Sequence, residues 1–382
     1  MSRLLPRADR RLKKSTPMAE LVVKTDNIIK NIQKLDAYLK KRNIRWSLVS
    51  KVLSGDEAFL RKILTEDVVE RLHSIGESRL SSLKNIKKVN PEITTIYIKP
   101  PAKQLAKSIV ECADISVNTS AETIETLNKE AKKQKKVHKV IIFIELGELR
   151  EGVLRENIVE FYKRVFNLSH IEIIGIGSNL GCMYGIEPTY DKLVQLSLFK
   201  QLLEETFNKK IDLISGGSSI TLPLIKKNLV PSSINHFRIG EAAFFGTSPL
   251  DDKRFNDLST DTFSLHANII EMEEKWSVPD GVIGDGNIGH TADSKPEDEY
   301  SKTYRAILDF GLLDVDVNDL KVKDKNISFI GTTSDMTVYD LGQNLNSKLK
   351  QKYQVGNKMF FKPNYMAVAR CMNSKFVDLK IK

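Results

Sequence analysis

The sequence contains little cysteine: Cys112, Cys182 and Cys371 are the three among 382 residues, and no C-x-x-C pair occurs. So few and unpaired thiols argue against a disulfide framework or a cysteine-based zinc site, and they indicate a reducing compartment such as the cytoplasm. Long apolar runs are also missing, since no stretch approaches 18 consecutive apolar residues. A transmembrane helix is therefore not predicted.

Positive charge is in excess, but it is concentrated at one end of the chain. The formal net charge is +10, and residues 1–17 carry six basic residues against one acidic residue, a net of +5. This segment lacks the apolar core and cleavage site of a secretory signal, and we predict a basic disordered tail. A tail that touches RNA or an acidic surface is the weaker alternative. We expect neither nucleic acid nor a membrane as a partner.

The rest of the chain divides by its hydrophobic patterns. Predicted strands alternate with helices from residue 18 to about 248, the first strand over residues 19–24 and the last over 236–239, with 75–86 predicted as helix. About eight such units predict an α/β fold with a (β/α)8 TIM-type barrel over residues 18–255, whose first strand can be shared with a second domain. Short alternating strands then predict a mostly β C-terminal domain over residues 256–382.

A lysine interrupts the apolar, strand-like run over residues 45–55, and Lys51 is therefore expected near the end of a barrel strand. A lysine that is buried there loses solvation of its ammonium form, which lowers its pKa and leaves an amine suited to Schiff-base chemistry with pyridoxal 5'-phosphate (PLP). The alternative is an exposed lysine on an edge strand.

Other polar residues also follow predicted strands, at the end of a barrel where catalytic groups gather. Each has a structural alternative: an ion pair of Arg150 with Glu148 or Glu151, a plain turn for the serine-glycine segment, or a pair of Arg238 with Glu241. Taken together, the strand ends offer a carboxylate clamp, a phosphate cradle and further cations, in Arg150, Asn179, Ser218, Ser219, Arg238, Gly240 and Glu241.

The order of these segments resembles the alanine racemase-type (fold type III) family of PLP enzymes, and most of all its ornithine racemase-like branch, over about residues 18–382. The resemblance implies that Lys51 is the aldimine lysine, that Arg150 meets the substrate carboxylate and that Arg238 faces the pyridine nitrogen. It further implies a homodimer whose sites are completed by the partner's β domain. Remaining implied contacts are Asn179 at the cofactor ring, Ser218, Ser219, Gly240, Glu241 and Tyr365 at its phosphate, and Thr333 and Asp335 in a loop at the substrate.

One feature departs from that family. Alanine racemases use a β-domain tyrosine as the second catalytic acid/base, and the matching residues 281–290 contain no tyrosine. Asp285 and His290 are the candidates to replace it, and for each a structural role is the alternative.

The expected function is a PLP-dependent racemase that interconverts L- and D-amino acids by removal of the Cα proton. Ornithine or another basic amino acid is the expected substrate, because Glu148, Asp285 and Asp335 can receive a side-chain amine. The alternatives are another fold type III PLP enzyme, such as a decarboxylase, aldolase or dehydratase, and a non-catalytic PLP-binding protein. We predict no metal site.

Overall fold

The structure is a computed structural model that describes residues 18–282, 289–292 and 301–382. The predicted basic tail and Asp285 lie outside the described residues. Within the described part of the chain, no helix has the length and apolar character needed to cross a bilayer.

Eight parallel strands close into a barrel. They follow a first strand, β1 (Glu20–Val23), which pairs in a different sheet. The barrel strands are β2 (Arg45–Val49), β3 (Ser74–Glu77), β4 (Thr95–Tyr97), β5 (Ile115–Asn118), β6 (His138–Phe143), β7 (Ile171–Gly177), β8 (Leu213–Ser218) and β9 (His236–Ile239). Pairing of β2 with β9 closes the ring, in the register Ser47 to Arg238.

Helices separate the barrel strands along the chain. Most are short, and several begin at a side-chain cap; Asp56, for example, accepts a hydrogen bond from the Phe59 N–H at 2.9 Å. The helices are α1 (Thr25–Lys40), α2 (Glu57–Ile63), α3 (Glu66–Glu70), α4 (Leu80–Val89), α5 (Ala106–Cys112), α6 (Ala121–Lys133), α7 (Ile158–Val165), α8 (Tyr190–Phe207), α9 (Leu222–Lys226), α10 (Glu241–Phe245) and α11 (Tyr365–Cys371).

Apolar side chains hold the barrel strands together. A buried cluster is shared by β4, β5, β6 and β8, and it consists of Ile96, Ile115, Val117, Ile141, Phe143 and Leu213. Burial of such side chains stabilises a fold by about 1.5–3 kcal/mol each. The barrel is therefore a packed core, and its carboxyl end remains for chemistry.

A second, nine-stranded sheet contains β1 and the later strands, in the order β11-β14-β15-β12-β10-β1-β17, with β16 pairing with β10 and β13. Antiparallel pairs join β10 to β12 and β16, and β15 to β12 and β14. The later strands are β10 (Phe263–Trp276), β11 (His290–Thr291), β12 (Lys302–Leu308), β13 (Leu320–Val322), β14 (Ser328–Thr332), β15 (Thr337–Asp340), β16 (Lys358–Pro363) and β17 (Asp378–Ile381).

Two compact units follow from these elements. The barrel unit comprises Val22–Ser264, Pro363–Asn373 and Lys380–Lys382. The sheet unit comprises the described residues up to Leu21, together with Leu265–Lys362 and Ser374–Leu379. The predicted fold class, a TIM-type barrel followed by a mostly β domain, is confirmed. Because residues 363–373 and 380–382 also belong to the barrel unit, each unit is made of several separate segments of the chain.

The first predicted strand is β1, which pairs in the second sheet, in agreement with the expectation that this strand can be shared with the second domain. The helix predicted over residues 75–86 was wrong at its start, because Ser74–Glu77 is the barrel strand β3. The sequence Ser-Ile-Gly-Glu has a single β-branched residue and two residues that are depleted in strands. Pairing of Ile75 with Leu48 on one side and Thr95 on the other holds it extended.

Candidate active site at the carboxyl end of the barrel

Lys51 lies directly after the first barrel strand. Strand β2 ends at Val49, the Ser50 N–H donates to the Gly76 carbonyl at 2.9 Å, and Lys51 begins a 3-10 turn. Its side chain is exposed, so the predicted position is observed and the predicted burial is not. The turn carries the residue out of the packed strand, which leaves the amine accessible to a ligand at this end of the barrel.

Arg238 on β9 is a buried cation fixed by three hydrogen bonds. Nη1 donates to the Ser215 carbonyl at 3.0 Å and to Ser215 Oγ at 2.6 Å, and Nη2 donates to the Ser178 carbonyl at 2.8 Å. Its guanidinium also lies 4.6 Å from the centre of the Phe143 ring. These partners take the place of the suggested Glu241 ion pair. Burial lowers the pKa of Arg238 to about 10, so it remains charged at neutral pH.

Arg150 lies in the segment after β6. The carboxylate of Glu145, at the start of this segment, holds its backbone in place. Glu145 accepts the backbone N–H groups of Leu149 at 3.1 Å and Arg150 at 3.3 Å. The Arg150 side chain is 38% exposed and pairs with Glu151, with Nη2 2.6 Å from Oε1. The ion pair suggested from the sequence is thus present, and a substrate carboxylate would have to compete with Glu151 for the guanidinium.

Glu148 organises the segment that follows β7. Its side chain is 1% exposed, and its two oxygens accept five backbone N–H groups, from Gly181, Cys182, Met183, Tyr184 and Ile186. Burial opposes ionisation, but these N–H groups hold the pKa of Glu148 below its ordinary value. The expectation that Glu148 receives a substrate amine was wrong, because its oxygens are already occupied.

Several buried polar atoms at the strand ends have no hydrogen-bond partner. They are Asn118 Oδ1 at the end of β5, and Ser178 Oγ and Asn179 Nδ2 directly after β7. A buried polar atom without a partner costs about 1–3 kcal/mol, so these atoms indicate a polar ligand at this end of the barrel. PLP, with its pyridine nitrogen, phenolic oxygen and phosphate, fits such a set of groups.

The predicted phosphate residues lie in neighbouring segments. Strand β8 extends to Ser218, so the glycines are part of a strand rather than a loop, and a Cβ at Gly217 would lie 2.3 Å from the Phe237 ring. Ser219 Oγ accepts the Ala242 N–H at 3.1 Å, which ties this turn to Gly240 and Glu241 at the start of α10.

Tyr365 lies at the beginning of α11, against the same region. Its ring centre is 5.8 Å from that of Phe245, at the end of α10. Burial, with smaller contributions from Glu77 and Glu241, raises the pKa of Tyr365, so its hydroxyl remains a neutral donor. The structure therefore brings Tyr365 close to the α10 residues predicted for the phosphate.

Glu77 is a carboxyl group at the end of β3 that is 1% exposed, and it was not among the residues predicted from the sequence. Ser50 Oγ donates to its Oε1 at 3.2 Å and the Ser78 N–H donates to its Oε2 at 3.0 Å. Burial raises the pKa of Glu77 to about 7, against the effect of those bonds and of the Lys51 charge. Glu77 was missed because residues 75–86 were predicted as helix, so this carboxyl group was not seen to end a barrel strand.

The sheet unit holds the remaining predicted site residues. His290 pairs with Thr332 in the β11–β14 ladder, and Thr333 and Asp335 lie in the turn that follows β14. That turn is closed by the Thr333 N–H, which donates to the Met336 carbonyl at 2.8 Å. His290, Thr333 and Asp335 are exposed and lie at one end of this sheet. Among the residues that the structure describes, no cluster of three His, Cys, Asp or Glu side chains could hold a metal ion.

A (β/α)8 barrel with a lysine directly after its first strand, followed by a β unit, defines the barrel class of PLP-dependent enzymes. The sequence model described as the N-terminal domain of alanine racemase matches residues 23–249. The chain therefore belongs to the alanine racemase family, and the resemblance predicted from the sequence is confirmed.

Individual relatives agree with this assignment. An ornithine racemase of Acetoanaerobium sticklandii is 32% identical over 323 residues, 82% of this chain and 88% of the relative. A lysine racemase of Thermotoga maritima is 29% identical over 358 residues, 94% of this chain and 97% of the relative. An alanine racemase of Clostridium difficile 630 shares the fold, with a TM-score of 0.71, 16% identity and 97% of each chain covered.

Proposed function

We propose that this PLP-dependent amino-acid racemase acts on ornithine or another basic amino acid. The observation that carries the substrate class is that the two relatives spanning most of the chain are named for ornithine and for lysine. The likeness to alanine racemase is a likeness of fold at 16% identity, and it does not argue for alanine as the substrate.

Lys51 would anchor PLP through its amine, and Arg238 would donate a hydrogen bond to the pyridine nitrogen. Support for the role of Arg238 comes from its two Nη groups: Nη1 donates two hydrogen bonds to Ser215 and Nη2 donates one to Ser178, which leaves Nε and the second N–H of Nη2 to donate to a ligand. An arginine with a pKa of about 10 donates a hydrogen bond there without giving up its proton. The remaining cofactor contacts are Asn179 at the ring, and Ser218, Ser219, Gly240, Glu241 and Tyr365 at the phosphate.

When bound, PLP withdraws electrons from the substrate Cα and makes its proton removable. Once the substrate amine has displaced it from the cofactor, the Lys51 amine would accept that proton on one face, while Arg150 would hold the substrate carboxylate in exchange for Glu151. Inversion requires a second acid/base on the opposite face. His290 and Asp285 are the candidates, and Thr333 and Asp335 are proposed to contact the substrate. By keeping its own proton, Arg238 would leave the pyridine nitrogen unprotonated, which would limit the withdrawal of electrons and suit racemisation rather than side reactions.

The assembly and its location are also inferred. We expect a homodimer, because sites of this family are completed by a partner's β domain. We expect a cytoplasmic protein, because Cys112, Cys182 and Cys371 are all free thiols. We place the barrel domain at residues 18–255 and the β domain at 256–382, with β1 shared.

The test is proton NMR of L-ornithine, L-lysine, L-arginine and L-alanine in D2O with the PLP-loaded protein, followed by chiral chromatography. Loss of the Cα–H signal with appearance of the D-enantiomer for the basic amino acids, abolished in Lys51→Ala, is the expected result. Consumption of the amino acid with new product signals, and without the D-enantiomer, would instead indicate a decarboxylase, aldolase or dehydratase. No exchange, despite a cofactor absorption band that depends on Lys51, would indicate a binding protein.

A further inference from the structure

A continuous row of hydrogen bonds runs through the barrel from Arg238 to His73, and we call it the barrel relay. The two histidines and three serines beyond Arg238 come from four different strands or their ends. Its links are Arg238 Nη1 to Ser215 Oγ at 2.6 Å, Ser215 Oγ to His236 Nδ1 at 2.8 Å, His236 Nε2 to Ser47 Oγ at 2.9 Å, Ser47 Oγ to Ser74 Oγ at 2.7 Å, and Ser74 Oγ to His73 Nδ1 at 3.3 Å.

The middle of the relay is sealed from solvent. Ser47, Ser215 and His236 are fully buried and Ser74 nearly so. His73 is half-buried and precedes β3, so it lies at the amino end of the barrel, where it lines a cavity of about 800 Å³. The relay thus joins the interior face of the candidate site to the opposite end of the barrel.

When Nδ1 of His73 is unprotonated and accepts, the relay has a direction in which every hydroxyl both donates and accepts. A guanidinium only donates, so Ser215 accepts from Arg238, and in this direction its own hydroxyl proton is directed to His236 Nδ1. His236 then carries its proton on Nε2 and donates to Ser47, which donates to Ser74, which donates to His73 Nδ1. Every hydroxyl in this arrangement both donates and accepts. Burial lowers the pKa of His236 well below its ordinary value, in keeping with a neutral ring.

Protonation of His73 reverses the donor and acceptor roles along the relay. A proton added to Nδ1 of His73 turns that nitrogen from acceptor into donor. Ser74 must then accept, Ser47 must donate to His236, and Ser215 receives donors from both His236 and Arg238. Burial first, and then the charges of Arg45 and Lys139, lower the pKa of His73, whereas Asp212 opposes them. His236 faces His73 as well, with ring centres 4.9 Å apart.

We propose that His236 is a positioning residue for Arg238 and that the barrel relay transmits the protonation state of His73 to the Arg238 guanidinium. The inference rests on the proposed function in one respect, the hydrogen bond from Arg238 to the cofactor. The relay itself is a property of the folded barrel and is testable without turnover.

The experiment is NMR of the full-length protein carrying ¹⁵N-labelled histidine and arginine, with and without PLP, between pH 5 and 8. We expect His236 to remain neutral with its proton on Nε2, and the Arg238 side-chain N–H signals to shift as His73 titrates. In Ser47→Ala the ring contact between the two histidines persists but the relay is cut, so the Arg238 response to His73 should be lost. Ser74→Ala cuts the next link and serves if Ser47→Ala does not fold.

The matched control is Ser116→Ala, which removes the partner of another buried barrel histidine, His138, at 2.8 Å. Among the described residues, neither Ser116 nor His138 shares a hydrogen bond or a ring contact with a relay residue, so the Arg238 response should survive. An Arg238 signal that follows His73 equally in Ser47→Ala, or that does not follow it in the wild type, overturns the proposal. A failed racemase assay would count against the proposed function but not against the relay, whereas the NMR result tests the relay independently of activity.

Discussion

Replacement of Glu77 by glutamine is expected to make the stability of the protein without PLP less dependent on pH. The folded protein raises the pKa of this carboxyl from 4.5 to about 7, chiefly by burial. A carboxyl whose pKa is raised on folding contributes stability that is fully present below pH 4.5. That contribution is lost as pH rises through 7, because the unfolded chain ionises first.

The size of the effect follows from the two pKa values. Each unit of pKa difference corresponds to about 1.4 kcal/mol, so complete ionisation costs the folded state about 3 kcal/mol. Most of that cost, about 2.5 kcal/mol, falls between pH 5 and pH 8. Glutamine keeps the shape and an acceptor for Ser50 but does not ionise. Glu77→Gln should therefore gain about 2.5 kcal/mol relative to the wild type over this interval.

Thermal unfolding followed by circular dichroism at pH 5, 6, 7 and 8 measures this difference. For the barrel unit, about 2.5 kcal/mol corresponds to a relative rise in Tm of about 5 °C between the ends of the range. Glu172→Gln, which replaces an exposed carboxyl on β7, should show no such trend. If the Tm difference between Glu77→Gln and the wild type is the same at pH 5 and pH 8, the argument from burial is refuted.

Three further substitutions test other parts of the site. Glu148→Gln should cost about 1–3 kcal/mol in urea unfolding at pH 7, because the glutamine amide leaves buried backbone N–H groups without an acceptor. Because folding lowers the pKa of Glu148, the loss should shrink as pH falls below 4, and a loss that stays constant with pH would contradict this. Gly217→Ala should cost about 1–3 kcal/mol by overpacking against Phe237, and more than Gly216→Ala, whose Cβ has neighbours no closer than 3.1 Å. Arg150→Lys should raise KM for the amino acid about tenfold with a smaller change in kcat, because lysine cannot bind a carboxylate through two parallel bonds; an unchanged KM would remove Arg150 from the substrate site.

The sequence predicted the barrel because strand and helix periods alternate through most of its first 250 residues. It also predicted where Lys51 and Arg238 lie, since each follows or ends an apolar strand. It did not reveal β3, whose four residues are held extended by pairing with β2 and β4 rather than by their own preference. Tertiary pairing of this kind overrides local propensity and leaves no local pattern.

The sequence also could not show how polar residues are used. Glu148 reads as an available carboxylate, yet its partners lie 33 to 38 residues later and enclose it. The serines of the barrel relay are each an ordinary polar residue within a strand, and only closure of the barrel places Ser47 beside His236, 189 residues away. Such contacts depend on the register of strands that are distant in sequence.

The position of β1 has a consequence for synthesis of the protein. This strand is made before both of its partners, which are β10, more than 200 residues later, and β17, later still. At about 5–20 residues per second, a ribosome needs tens of seconds to supply them. During that time the barrel strands can close on one another. Strand β1, with its apolar residues Leu21, Val22 and Val23, remains without its strand partners. We therefore expect a chaperone to cover β1 until β10 and β17 have emerged, and crosslinking of stalled nascent chains at Val22 would detect that protection.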